Sequence, residues 1–107
     1  MTQRICFQLQ INPEFADEYK EHHAHVWPEM LQALSETGWR NYSLFLNPNG
    51  MLIGYLECDD FEKSVQLMNE TEINAKWQST MAKFFIGLDG GAPDGAIAPL
   101  QHIFYLP

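Results

Sequence analysis

Eleven consecutive residues, Tyr19 to Glu29, hold most of the side chains here that could do chemistry: His22, His23 and His25, Tyr19, Trp27, Glu21 and Glu29. In a helix, Tyr19 and His23 stand at i and i+4, one above the other on a single face, and Trp27 lies a further four residues on. A phenol, an imidazole and an indole on one stripe supply donors, acceptors and a flat apolar wall, as one side of a pocket for a small polar ligand requires. The same spacing also suits ordinary core packing, and each of these rings taken alone is more often a packed residue than a catalyst. His22 and His25, with Glu29, form a second grouping that invites a metal reading. No Cys, His or carboxylate pattern elsewhere completes a recognised site, so solvated helix histidines and no metal are expected.

The elements that must position this run follow from periodicity. Gln3 to Ile11 alternates, with Ile5, Phe7, Leu9 and Ile11 on one face, and reads as a half-buried strand. Asn12 and Pro13 suit an N-cap and the first helical position. Pro28 disfavours helical geometry at Trp27, which predicts a break there and a second helix through Thr37, capped by Gly38. Trp39 to Asn47, with Tyr42, Leu44 and Leu46 on one face, pairs with Met51 to Cys58 across the turn Asn47-Pro48-Asn49-Gly50. Asp59-Asp60 caps a helix carrying Phe61, Val65 and Met68. Thr71 caps another in which Ile73, Trp77, Met81 and Phe84 share a stripe. Residues 87–99 are rich in Gly, Pro and Ala and read as a loop, functional or mobile. Leu100 to Leu106 alternates as a last strand. The order strand, helix, strand, strand, helix, strand is that of an α+β ferredoxin-like antiparallel sheet with helices on one face. The other face then needs cover, which predicts a homodimer.

Composition narrows the partners. A chain of 107 residues argues for a single domain, 1–107, and 46% hydrophobic residues suffice for a core without staples. No apolar run is long enough to cross a membrane, and the alternating start is unlike a signal peptide, so a cytoplasmic protein is expected. Six Lys+Arg against fourteen Asp+Glu give a net charge of −8. That disfavours nucleic acid and anionic membranes, whereas a neutral sugar meets no penalty. Cys6 and Cys58 read as free, buried thiols.

Tyr19-x-x-x-His23-x-x-x-Trp27-Pro28-Glu29 resembles the L-rhamnose mutarotase family. Asn41-Tyr42 matches the family's Asn-Tyr pair, and Trp77 its substrate-side tryptophan. The ending Leu100-Gln101-His102-Ile103-Phe104-Tyr105-Leu106-Pro107 follows the family's Leu-Gln-x-x-Phe-Tyr-Leu-Pro. The resemblance spans nearly the whole chain. It implies a dimeric α+β barrel and an aldose 1-epimerase activity without cofactor, with His23 as proton donor and Tyr19, Tyr42 and Trp77 contacting the sugar. The family's pattern has a second tryptophan after the first. Here that substrate contact falls on Gln78.

Anomers of a free sugar interconvert by opening the hemiacetal, rotating about C1–C2 and reclosing. Opening needs a proton delivered to the ring oxygen and one removed from the C1 hydroxyl. An imidazole titrating near neutrality can supply the first. Tyr19, a water or a carboxylate could take the second, and the sequence does not choose among them. Two other readings remain open at this stage. One is a dimeric ferredoxin-like monooxygenase acting on a haem or quinol, with a histidine as axial ligand. The other is a sugar-binding module without catalysis.

Overall fold

The computed structural model describes residues 2–87 and 97–107. Among the described residues three strands form one antiparallel sheet in the order β1-β3-β2: β1 is Gln3–Gln10, β2 is Arg40–Leu46 and β3 is Met51–Cys58. Side-chain alternation sorts them into two faces. Phe7 lies opposite Gly54, and with Leu52, Leu56 and Cys58 it is buried towards the helices. Gly54 is required there: a Cβ on it would run into the Phe7 ring, so the ring can cross β3 only over a glycine. The turn between β2 and β3 closes with Asn47 N–H to the Met51 carbonyl (2.8 Å) and Gly50 N–H to the Asn47 carbonyl (2.8 Å). Gly50 takes a positive φ of 92°.

Four α-helices cover the inner face among the described residues: α1 Ala16–Ala24, α2 Pro28–Glu36, α3 Phe61–Asn69 and α4 Glu72–Met81. Asn12 does cap, its Oδ1 accepting from Glu14 N–H at 3.0 Å, but it opens a 3₁₀ turn, Pro13–Phe15, ahead of α1. The break before Pro28 occurs as expected. α1 stops at Ala24, and Trp27 sits in extended geometry at φ −58°, ψ 133°. Asp60 and Thr71 cap α3 and α4 through their side-chain oxygens, on Lys63 N–H and Asn74 N–H.

The expected fourth strand, Leu100 to Leu106, does not form. Its place beside β1 is taken up piecemeal. Ile86 N–H reaches the Gln10 carbonyl (2.9 Å) and Asn12 N–H the Phe84 carbonyl (2.8 Å), while Leu100 N–H reaches Cys6 (2.7 Å). Beyond Leu100 the chain makes side-chain contacts in place of a ladder: His102 Nε2 meets the Phe104 carbonyl at 3.0 Å, and the Arg4 guanidinium of β1 lies 3.8 Å over the Tyr105 ring. A period-2 pattern states which side chains share a face, not whether a neighbouring backbone is in register to accept a ladder. Of the loop expected at 87–99, residues 88–96 lie outside the described residues. Cys58 is buried as expected, but Cys6 is only half-buried; both are free thiols.

Candidate active site

Between the helices and the inner face of the sheet lies a cavity of about 370 Å³. All five residues that the sequence nominates, Tyr19, His23, Tyr42, Trp77 and Gln78, line it. They come from three elements far apart in the chain, α1, β2 and α4, so convergence is a property of the fold rather than of any one motif.

α1 contributes Tyr19 and His23 as the i, i+4 spacing predicts. Their rings lie 4.2 Å apart between centroids and 36° from parallel. Tyr19 is 5% exposed and is held edge-on by Phe84 and Phe85. Burial, and secondarily the nearby Tyr42 phenol, pushes its pKa up, so the phenol stays protonated at any physiological pH. His23 Nδ1 lies 2.9 Å from the Tyr19 carbonyl oxygen. A carbonyl can only accept, so Nδ1 carries the hydrogen, and the neutral ring presents Nε2 as its acceptor. Burial lowers the His23 pKa; the bond to Tyr19 opposes that, and neighbouring His22 adds to it. Near neutral pH the ring is therefore mainly uncharged.

α4 supplies Trp77, 6% exposed, whose ring meets His23 edge-on at 5.5 Å and Trp27 at 5.0 Å. Trp27 packs against Trp77 and the core and is not among the cavity-lining residues. The next residue is Gln78, whose Nε2 donates to Asn74 Oδ1 one turn back at 3.0 Å. Asn74 is the site residue that sequence reasoning missed. It is 4% exposed and lines the cavity. The available signal was a polar residue four before Gln78 on the buried stripe of α4.

β2 supplies Tyr42 through an irregularity that periodicity did not reveal. Arg40 pairs with Glu57 and Ser43 with Tyr55, so β2 spends three steps where β3 spends two. The extra residue makes a β-bulge, with Asn41 in the left-handed region at φ 48°, a conformation asparagine tolerates better than most residues. The bulge resets the alternation. Arg40 stays on the outer side, paired with Asp59 at 3.0 Å, while Tyr42 turns inward with Leu44 to the cavity.

The other two histidines go elsewhere. His22 packs on Phe84 at 5.5 Å, and His25 pairs on the surface with Glu21 at 3.2 Å. No group of three His, Cys, Asp or Glu side chains suited to a metal ion occurs among the described residues.

An apolar cavity with a neutral imidazole, two phenols and an amide pair, set in a small α+β fold, is a candidate site for a small uncharged ligand. The comparisons give that class a family. The crystal structure of an L-rhamnose mutarotase from Formosa agariphila superposes with a TM-score of 0.77 at 27% identity, over 98% of this chain and 99% of that one. A conserved protein from Methanosarcina mazei Go1 shares the fold, with a TM-score of 0.60 at 17% identity over 81% of this chain and 84% of that one. A family model described as L-rhamnose mutarotase matches residues 4–106. The L-rhamnose mutarotase of Burkholderia ambifaria is 33% identical over 96% of this chain and 97% of its own. That of Bacillus subtilis is 37% identical over 84% and 85%. This chain belongs to the L-rhamnose mutarotase family, whose members are isomerases.

Proposed function

We propose that this chain interconverts the α and β anomers of free L-rhamnose at the cavity between α1, α4 and the sheet, with His23 as the acid–base group. The observation that carries this reading is the convergence of Tyr19, His23, Tyr42, Trp77 and Gln78 on one cavity. The indole of Trp77 suits the C–H face of a deoxysugar. The two phenols suit its hydroxyls. No cofactor is invoked, because acid–base opening of a hemiacetal requires none. Magnetisation transfer between the anomeric protons of L-rhamnose tests the reading directly. Added protein should raise the exchange rate without moving the anomer ratio, since a catalyst alters only rates. Binding without acceleration would leave a sugar-binding module instead.

Gln78 is the residue expected to set preference among sugars. Where the family pattern has an indole, an amide bonded to Asn74 brings donors and an acceptor to the cavity wall. One good hydrogen bond to a substrate hydroxyl discriminates more strongly than one methyl group in an apolar pocket. Gln78→Trp should therefore change the ratio of exchange rates between L-rhamnose and L-fucose by about tenfold, roughly the worth of one net hydrogen bond. An unchanged ratio would put Gln78 outside the specificity-determining wall.

We further propose that the active protein is a cytoplasmic homodimer. Ile103, Phe104 and Leu106 are 86%, 74% and 78% exposed in the single chain, and Phe45 on the outer sheet face is 62% exposed. An apolar group of that kind calls for cover, and a second copy on the outer face would supply it. The two free thiols fit a reducing compartment. Sedimentation at micromolar concentration should give a two-chain species, and Phe104→Asp should shift it to one chain. A wild-type monomer would remove the proposal.

A further inference from the structure

Opening a hemiacetal requires two proton movements, yet among the described residues the cavity wall offers one group that titrates near neutrality. Among the described residues the lining includes His23, the phenols of Tyr19 and Tyr42 and the amides of Asn74 and Gln78, and no carboxylate, lysine or arginine. The Tyr19 phenol is held protonated by its burial, so it can orient a hydroxyl but is a poor source or sink of protons. The His23 ring is turned by its Nδ1–H bond to the Tyr19 carbonyl. Among the described residues it makes no other hydrogen bond, so Nε2 is the edge left for the cavity.

We infer that a single nitrogen, Nε2 of His23, performs both proton movements, first as base and then as acid, while the Tyr19 carbonyl fixes the tautomer that makes this possible. The inference rests on the mutarotase reading and specifies how its proton donor works. The O1 hydroxyl and the ring oxygen O5 are both bonded to C1, so one nitrogen above that carbon reaches both. Neutral Nε2 takes the proton of the O1 hydroxyl, and the O–H electron pair becomes the second bond of the C1 carbonyl. The C1–O5 bond breaks, its pair goes to O5, and Nε2–H delivers the same proton there. The imidazole is neutral again, and the product is the open-chain aldehyde. After rotation about C1–C2, the reverse sequence on the other face of the carbonyl gives the other anomer. Nothing is oxidised or reduced, and no proton is exchanged with a second side chain.

The resting form required is the neutral, Nδ1-protonated ring, which gives a pH profile with one limb. Among the described residues, the titratable groups around His23 are Tyr19 and His22 on its own helix and Tyr42 from β2, which shares the cavity wall. α4 faces it with the non-titrating Trp77 and Gln78. Anomer exchange should be measured by magnetisation transfer from pH 4.5 to 9, each rate corrected for uncatalysed exchange, beside a ¹⁵N NMR titration of His23. The expected profile falls about tenfold per pH unit below the His23 midpoint, as for one titrating base, and is level above it. The ¹⁵N shifts should report Nδ1 protonated in the neutral ring. Tyr19→Phe and Tyr42→Phe should weaken sugar binding yet keep the single limb. A rate that declines as the pH rises through His23's own midpoint would make the imidazolium the active form and overturn the shuttle. So would an Nε2-protonated neutral ring, or an alkaline limb that either phenylalanine variant abolishes. In each of those cases exchange is still accelerated and the mutarotase reading survives. No acceleration at any pH would sink that reading, and the shuttle with it.

Discussion

His23→Gln should lose between about 10² and 10⁴ of the anomer-exchange rate, the usual worth of general acid–base catalysis. Glutamine can keep a hydrogen bond to the Tyr19 carbonyl and most of the ring's volume, but it cannot take and return a proton. Sugar binding should therefore survive far better than turnover, so the loss should be read in kcat with a modest change in KM. His22→Gln and His25→Gln are the internal controls. The first ring packs on Phe84 and the second pairs with Glu21 at the surface, and neither lines the cavity. Both variants should stay within a fewfold of the parent. Full activity in His23→Gln, with loss in either control, would mean that the chemistry belongs to another face of α1.

That prediction was reachable from the sequence because α1 is a local object. Tyr19 and His23 are four residues apart, and a helix of nearly any orientation brings their rings together. The same holds for the features that frame the site. Pro28 keeps Trp27 out of helical geometry on steric grounds that involve only its neighbour, and Thr71 caps α4 with its own hydroxyl. Asn47 and Gly50 close the hairpin within four residues. Each is decided by forces acting over one turn of chain, so reading the chain in order recovers it.

What was not legible depends on pairing between distant segments. Alternation put Tyr42 on the face of Leu44, correctly, but the cause of its inward turn is a bulge visible only from the register with β3. Asn74 belongs to no motif. Its significance comes from being buried beside a cavity that α1 and the sheet complete. The closing segment shows the opposite failure, in which Leu100 to Leu106 has the pattern of a strand but makes one backbone hydrogen bond to β1, through Leu100. Residues 84–86 already occupy β1's edge near Gln10, and no sequence pattern records that competition. The family resemblance nominated Tyr42 and Trp77; for Tyr42, local physics alone left the ligand and core readings about even.

Trp77 carries the other large effect, because it belongs to the core and to the cavity wall at once. Trp77→Ala should destabilise the fold by about 3–5 kcal/mol, the range for removing a buried aromatic ring. For a domain of this size that is a large part of a total of about 5–15 kcal/mol. The loss has three local sources. Trp27 loses the ring it meets edge-on at 5.0 Å, His23 loses its flank at 5.5 Å, and Met81 and Asn74 on the same helix face a void. Urea unfolding should show the midpoint falling with an unchanged slope. Trp77→Phe separates the two roles, since a smaller ring keeps an apolar wall and part of the packing. It should recover more than half of the lost stability while sugar binding remains several-fold weaker, because the broad indole face is gone. If Trp77→Phe instead bound the sugar as tightly as the parent, Trp77 would be a core residue that merely borders the cavity. The sugar's apolar face would then have to rest on another wall, with Trp39 the next aromatic candidate among the described residues that line it.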